Sequence, residues 1–402
     1  MAPEVIVLLV SVVIFAAIGI PIAWSLVLSS ALSITVAGTW HTLPVLAQQL
    51  YAGGLKYALL AVFFFVLSGG IMQHGGLSKR LIDFAKAVVG HVRGGMSLVC
   101  MVACTFFAAI SGSAPATTAA IGGILYPELK QDYPESYAAA LPAAGGILGT
   151  VIPPSILFIL YGSVTDVSPG RLLMSGIIPG ALGSIALCVL CYIIARRRNF
   201  PKGKPFCMST AWDTFRKAIW ALLMPLIILG GIYSGIFTPT EAAAVSCAYG
   251  LLVSMLVYKE LSIKTLIKTL KSSAHITANI MMMVMSAGAF SWLLTVYLVP
   301  GILSNFLVSN VASGMAFMLG TLLLLTLLGM IMDTGAIILI LGPMLAPVAL
   351  AFGIDPILYG LLFVFTISIG KATPPFGICL FVASSISKLG VIEIGVKAFP
   401  FV

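Results

Sequence analysis

Apolar runs recur along the whole of this 402-residue chain, most of them near or above the roughly 20 residues that a helix needs to cross a bilayer. The polar stretches between them are short, and none is long enough for a separate soluble domain. The pattern predicts an all-α polytopic membrane protein. The first run, MAPEVIVLLVSVVIFAAIGIP, lacks a basic leader and a small-residue cleavage site, so it reads as the first span and not as a signal peptide.

Two runs are interrupted. GTVIPPSILFILYG (149–162) and GKATPPFGICLFVA (370–383) each place a Pro-Pro pair four residues after a glycine. Proline has no N–H, so Pro153 and Pro154 cannot bond the carbonyls of Gly149 and Thr150, and Pro374 and Pro375 leave those of Gly370 and Lys371. The spacing predicts broken helices over about 137–163 and 356–386. A proline kink relieved by neighbouring helices is the ordinary alternative. Two further stretches read as re-entrant hairpins. Over 95–127, two apolar arms meet at Ser111-Gly112-Ser113, and an arm of about 15 residues rises only about 22 Å, enough to pass mid-membrane without crossing. The counterpart runs over 314–347 and turns at Met332-Asp333-Thr334-Gly335.

These features recur because the chain reads as duplicated. Pro21 matches Pro239, Gly69 matches Gly288, Pro127 matches Pro347, and Gly149, Pro153 and Pro154 match Gly370, Pro374 and Pro375, with an offset that drifts from 218 to 221. The expected organisation is an N-terminal repeat over 1–194, a cytoplasmic connector over 195–216 and a C-terminal repeat over 217–402. Pro179 matches Pro400, so the span after Arg171 should have a partner beginning near residue 393, a last helix that is truncated at Val402.

Composition supports the class: 60% of residues are hydrophobic and 8% charged, outside the range of soluble domains. The net charge of +9 raises nucleic acid as a partner, but its placement reports topology instead. Eighteen of the 21 Lys and Arg lie in loops at 74–95, 127–136, 195–217, 259–271 and 386–397, against Lys56 and Arg171 in the opposite set. The rich set is cytoplasmic by the positive-inside rule. That puts the N-terminus in the periplasm and makes the two repeats inverted with respect to each other, a transporter's architecture. The segments 77–88 and 261–271 space their apolar residues as helices along the inner surface, with ordinary basic loops as the alternative.

Few residues offer chemistry. The pairs Cys188/Cys191 and Cys100/Cys104 sit among apolar residues without nearby His or acid and read as packing. Loop chemistry accounts for His41, His74 and His91, core packing or a surface position for His275, and Glu241 reads as a cap or packing feature. Asp333 and Lys371 remain as the ionisable side chains placed deep in the membrane, where charge is expensive and usually functional. They pair with each other or meet substrate. So few carboxylates supply a proton relay poorly. Main-chain oxygens suit a hard cation such as Na⁺, and each resumed half-helix turns its positive N-terminal end toward the break, where an anionic group is favoured. The first expected ion site joins Gly149 and Thr150 to Ser111 and Ser113, and the second joins Gly370 and Lys371 to Asp333 and Thr334. The anion is expected between the tips, at Ser111, Gly112, Asp333 and Thr334, with Pro154 and Pro375 at the breaks.

FFAAISGSAPATTAAIG, AAGGILGTVIPPSI, GIFTPTEAAA and GKATPPFGICLFVAS resemble, in this order and over essentially the full length, the large membrane subunit of the TRAP (tripartite ATP-independent periplasmic) transporters. The resemblance implies an elevator-type importer of organic carboxylates (sialic acid, a C4-dicarboxylate or a sugar acid) in the bacterial inner membrane. It implies Na⁺ as coupling ion, no organic cofactor, and two partners: a small four-helix membrane subunit of the Q type and a periplasmic substrate-binding protein of the P type. Carried over residue by residue, its sodium sites fall on Ser111, Ser113, Gly149, Ile152 and Pro153, and on Gly329, Gly370 and Thr373. An exchanger or exporter working without a binding protein is the rival within transport. An intramembrane hydrolase with Ser113 as nucleophile is the rival among enzymes, but no His is positioned by the sequence to activate it.

Overall fold

The computed structural model describes residues 3–203, 205–311, 313–375 and 377–402, and they are helical almost throughout. The first half holds α1 (Pro3–Ala17), α2 (Ile22–Val36), α3 (Leu43–Gly54), α4 (Leu60–His74), α5 (Leu77–Val89), α6 (Gly95–Ser111), α7 (Ala114–Asp132), α8 (Glu135–Gly146), the single turn α9 (Leu148–Val151), α10 (Ile156–Thr165), α11 (Pro169–Ser175) and α12 (Ile177–Arg197). The second holds α13 (Met208–Tyr233), α14 (Pro239–Leu252), α15 (Ile263–Val296), α16 (Val299–Asn310), α17 (Gly314–Gly329), α18 (Thr334–Ala351), α19 (Pro356–Ile369), α20 (Ile378–Ser387) and α21 (Val391–Ala398). Among the described residues six helices are long and apolar enough to cross a membrane, or up to nine if each sharply bent pair is one span.

Both interruptions are present. α8 and α9 stop before Pro153, and the chain resumes as α10 with a bend of 41°. α19 tightens into a 3-10 turn over Gly370–Ala372 and resumes as α20. The X-Pro bonds within both Pro-Pro pairs are cis. Both hairpins are present as well. α6 and α7 pack on each other across Gly112, whose φ of +63° suits a residue without Cβ, and α17 packs on α18.

Other expectations change. The basic segment at 261–271 is neither a separate surface helix nor a loop: it opens α15, whose 34 residues rise about 51 Å, well beyond the bilayer core. The connector is helical at both ends, since α12 runs to Arg197 and α13 starts at Met208. Glu241 is a cap: its carboxylate accepts from the Thr238 N–H at 2.8 Å while the Thr238 hydroxyl accepts from the Glu241 N–H at 3.3 Å.

Packing couples the halves in a crossed manner. α10 lies against α18 of the other hairpin, and α20 lies against α7 and α8. Two apolar cores result. One joins α10, α18 and α19 to α4 and α15 around the fully buried Phe158, Tyr161, Tyr359 and Phe363, and the other joins α6, α7, α8, α20 and α21 and takes in Cys100, Cys104 and Cys191. Each hairpin is thereby fixed to the half-helix of the opposite repeat.

Candidate functional site

At the first break, Ser113 stands in extended backbone at the N-cap position of α7, without a side-chain capping bond, and Gly112 turns the chain. The Ser111 hydroxyl lies 3.0 Å from that of Thr117, which donates to the Ser113 carbonyl at 2.9 Å. Gly149 closes on this knot: a methyl on it would lie 2.6 Å from both the Ser113 carbonyl oxygen and the Thr117 hydroxyl. The tip is tied to the resumed helix as well, because the Ile156 N–H donates to the Gly112 carbonyl at 3.2 Å. The carbonyls freed by proline fare differently. The Ser155 hydroxyl donates to the Thr150 carbonyl at 2.6 Å, replacing the lost N–H, so Thr150 does not offer the bare oxygen expected of it. The Gly149 carbonyl gains no such substitute among the described residues. Ile152 turns its side chain into an apolar cluster with Ala108, Ala109 and Leu148.

The second break repeats the plan with different atoms. Asp333 caps α18, its carboxylate accepting from the Gly335 and Ala336 N–H groups at 2.9 and 3.4 Å. Gly370 presses on the hairpin arm at Gly329, where a methyl would lie 2.7 Å from the Gly329 Cα. The Gly370 carbonyl is bonded by the Thr373 N–H at 3.1 Å and is thus not bare. That of Lys371 meets no donor among the described residues. The Thr373 hydroxyl donates to the Ile369 carbonyl at 2.9 Å.

One cavity of about 340 Å³ joins the two breaks. Ser111, Gly112, Ser113 and Thr150 border it from the first repeat, and Asp333, Thr334 and Lys371 from the second. Gly329 borders a smaller adjoining space that shares Asp333, Thr334 and Lys371. Gly149, Ile152, Pro153, Pro154, Gly370, Thr373 and Pro375 are not among the residues lining the main cavity. Pro154 instead turns its carbonyl toward Gly112. Lys371 is 6% exposed. It and Asp333 share the cavity, yet among the described residues they form no ion pair.

Four helices begin at this cavity. Ser113 at the start of α7, Ile156 of α10, Thr334 of α18 and Ile378 of α20 all border it. Helix N-termini carry unsatisfied N–H groups and a partial positive charge of about half an electron each. At α18 the Asp333 carboxylate already takes two of these N–H groups, and at α10 the Gly112 carbonyl takes that of Ile156. The remaining positive ends, together with Lys371, make an enclosure suited to an anion. The opposite wall was missed by sequence reasoning. It is built from α4 and α15 and presents Gly69, Gly70, Gln73, His74, Thr269 and Ser273. His74 is thus the last residue of α4 at the cavity, and not a loop residue. The polar positions of α15, spaced one turn apart inside a basic apolar run, were the signal available.

A model of the family described as tripartite ATP-independent periplasmic transporter, DctM component, matches residues 9–402. The chain belongs to this family. It is 40% identical to the 2,3-diketo-L-gulonate TRAP transporter large permease protein YiaN of Escherichia coli K12, over 96% of this chain and 91% of that one. It is 36% identical to the C4-dicarboxylate TRAP transporter large permease protein DctM of Rhodobacter capsulatus, over 95% and 90%, and 36% identical to the sialic acid TRAP transporter large permease protein SiaM of Vibrio cholerae, over 92% and 87%. The fold is also that of the Alcanivorax borkumensis YdaH transporter, with a TM-score of 0.64 at 14% identity over 91% of this chain and 86% of that chain. As a TRAP large permease this protein is a membrane transport subunit of a tripartite system. The paired breaks and hairpins are the part of the TRAP permease that meets at one cavity.

Proposed function

We propose that this protein imports an organic carboxylate across the bacterial inner membrane, driven by Na⁺ and supplied by a periplasmic substrate-binding protein, beside a small membrane subunit. The observation that carries the reading is the meeting of four helix N-termini and Lys371 at one cavity, which favours a carboxylate over a neutral solute. Among the described residues no cluster of His, Cys, Asp and Glu suits a transition metal. The oxygens gathered at each break suit Na⁺ instead. The first ion site takes Ser111, Ser113, Gly149, Ile152 and Pro153, with Thr117 as organiser. The second takes Gly329, Gly370, Lys371 and Thr373 beside Asp333 and Thr334. In this reading the two halves are inverted repeats with the N-terminus periplasmic, and the hairpins with their crossed half-helices move as one body against α4 and α15.

The test is uptake into vesicles holding the permease with its small subunit. It should require both an inward Na⁺ gradient and the cognate binding protein. Replacing Pro153-Pro154 or Pro374-Pro375 by Ala-Ala returns the missing N–H groups and should flatten the Na⁺ dependence. Uptake that survives replacement of Na⁺ by choline, or omission of the binding protein, would overturn the proposal.

A further inference from the structure

The cavity occupies one end of the seam between the hairpin body and the helices it faces. It meets α4 at its last turn, through Gln73 and His74, and α15 from Thr269 to Met283. The basic loops adjoin this end, which is cytoplasmic in the reading above. At the other end of α4, about 22 Å away for a helix of 15 residues, one side chain crosses the seam. Lys56, between α3 and α4, donates to the Asp166 carboxylate at 3.1 Å and to the Ser163 carbonyl.

Each partner is anchored on its own side. Next to Lys56, the Tyr57 carbonyl accepts from the Thr240 hydroxyl of α14 at 3.3 Å. α3 lies flush on α15 because two glycines face each other: a methyl on Gly288 would sit 3.0 Å from the Gly53 Cα. Ser163 and Asp166 stand in the last turn and at the C-cap of α10, which packs on α11, α18 and α19 of the body. Lys56 thus meets both a carboxylate and the negative end of a helix. Spaces of about 210 and 660 Å³ flank the bridge, both bordered by Asp166. Arg171 and Asp355 border the larger one, and among the described residues neither joins the Lys56–Asp166 pair. Among those residues no other hydrogen bond ties α3, α4 or α15 to α10.

Such a bridge does not survive a slide of the body along the seam. One helical turn of movement is about 5.4 Å, beyond the roughly 4 Å over which an ion pair acts. Resting on the moving-body reading above, we propose that Lys56 is a positioning residue of the transport step. It latches the body where the cavity lies at the cytoplasmic end, and its release lets the body move toward the periplasm. The two side chains are 42% and 89% exposed, so their attraction alone is weak; the Ser163 carbonyl and the helix end add to it. Loss of Lys56 should therefore shift the balance of the two positions about five- to tenfold.

Ala116 of α7 borders the cavity and belongs to the body, so a cysteine there reports its position from either side of the membrane. The full-length protein carrying Ala116→Cys, with Cys207→Ser to remove the exposed thiol, is labelled in sodium with a membrane-impermeant maleimide, in right-side-out and in inverted vesicles. From the periplasmic side, Lys56→Met should raise the labelling rate about five- to tenfold. Asp166→Asn keeps a residue that tolerates the left-handed C-cap and leaves the Ser163 contact, so it should raise the rate about twofold. The double variant should match Lys56→Met, since both changes remove one interaction, and Lys56→Arg should stay close to wild type. Fraying confined to the bridge would not open Ala116 to the periplasm. If Ala116→Cys is reached from both sides, an unchanged periplasmic rate in Lys56→Met, or effects that multiply in the double variant, would overturn the latch and leave the moving body standing. Labelling from the cytoplasmic side alone, in every variant, would remove both.

Discussion

Gly370→Ala tests the second break most sharply. The added methyl would sit 2.7 Å from the Gly329 Cα and closer still to its carbonyl, whereas an ordinary contact needs at least 3.4 Å. Both obstacles are backbone, so no side-chain rotation relieves them. The hairpin arm α17 must retreat by about 0.7 Å or more, and overpacking of this kind costs about 1–3 kcal/mol. If the strain falls on the ion-bound state, half-saturation by Na⁺ rises about 5- to 150-fold. If it falls on the fold, the melting midpoint drops by a corresponding amount. The assay pairs Na⁺-dependent uptake in vesicles with thermal unfolding of the purified protein, with Gly320→Ala as control. Gly320 lies in α17, the helix that ends at Gly329, with open space around it and should tolerate the methyl. Wild-type sodium dependence together with a wild-type melting midpoint in Gly370→Ala would refute the close approach of the two backbones.

Two further outcomes are expected. Ser155→Ala strips the Thr150 carbonyl of its 2.6 Å bond and should cost about 1–3 kcal/mol of stability by thermal unfolding, an effect that Ser155→Thr restores; an unchanged midpoint in Ser155→Ala would count against the rescue bond. The exposed Cys207 thiol is pulled down to about 7 from its ordinary value near 9 by hydrogen bonds from the Ser209 hydroxyl and the Thr210 N–H. The thiolate is the reactive form, so maleimide labelling at Cys207 should rise with pH and reach half its plateau near pH 7, while buried Cys100, Cys104 and Cys191 label far more slowly; a half-plateau near pH 9 would contradict the local hydrogen bonding.

What the chain alone determines here is local. Apolar run length imposes spanning helices, and Pro153-Pro154 and Pro374-Pro375 break theirs because proline lacks the donor that a helix interior requires. Ser111-Gly112-Ser113 must turn because Gly112 alone there takes a left-handed conformation without penalty. The Glu241 cap was legible for the same reason: Thr238 and Glu241 are three residues apart.

Tertiary structure decided which atoms those breaks present and to what. Sequence counted four freed carbonyls, but Ser155 and the Thr373 N–H recapture two of them, and such bonds depend on how the chain folds back after each proline. The crossing of α10 onto α18 and of α20 onto α7 gathers four helix N-termini from distant positions, a result of long-range packing that no local pattern encodes. The α4–α15 wall was hidden for the same reason. Which polar positions of α15 border the cavity was set by how α4 packs on it, with Gly70 leaving room for the Thr269 methyl.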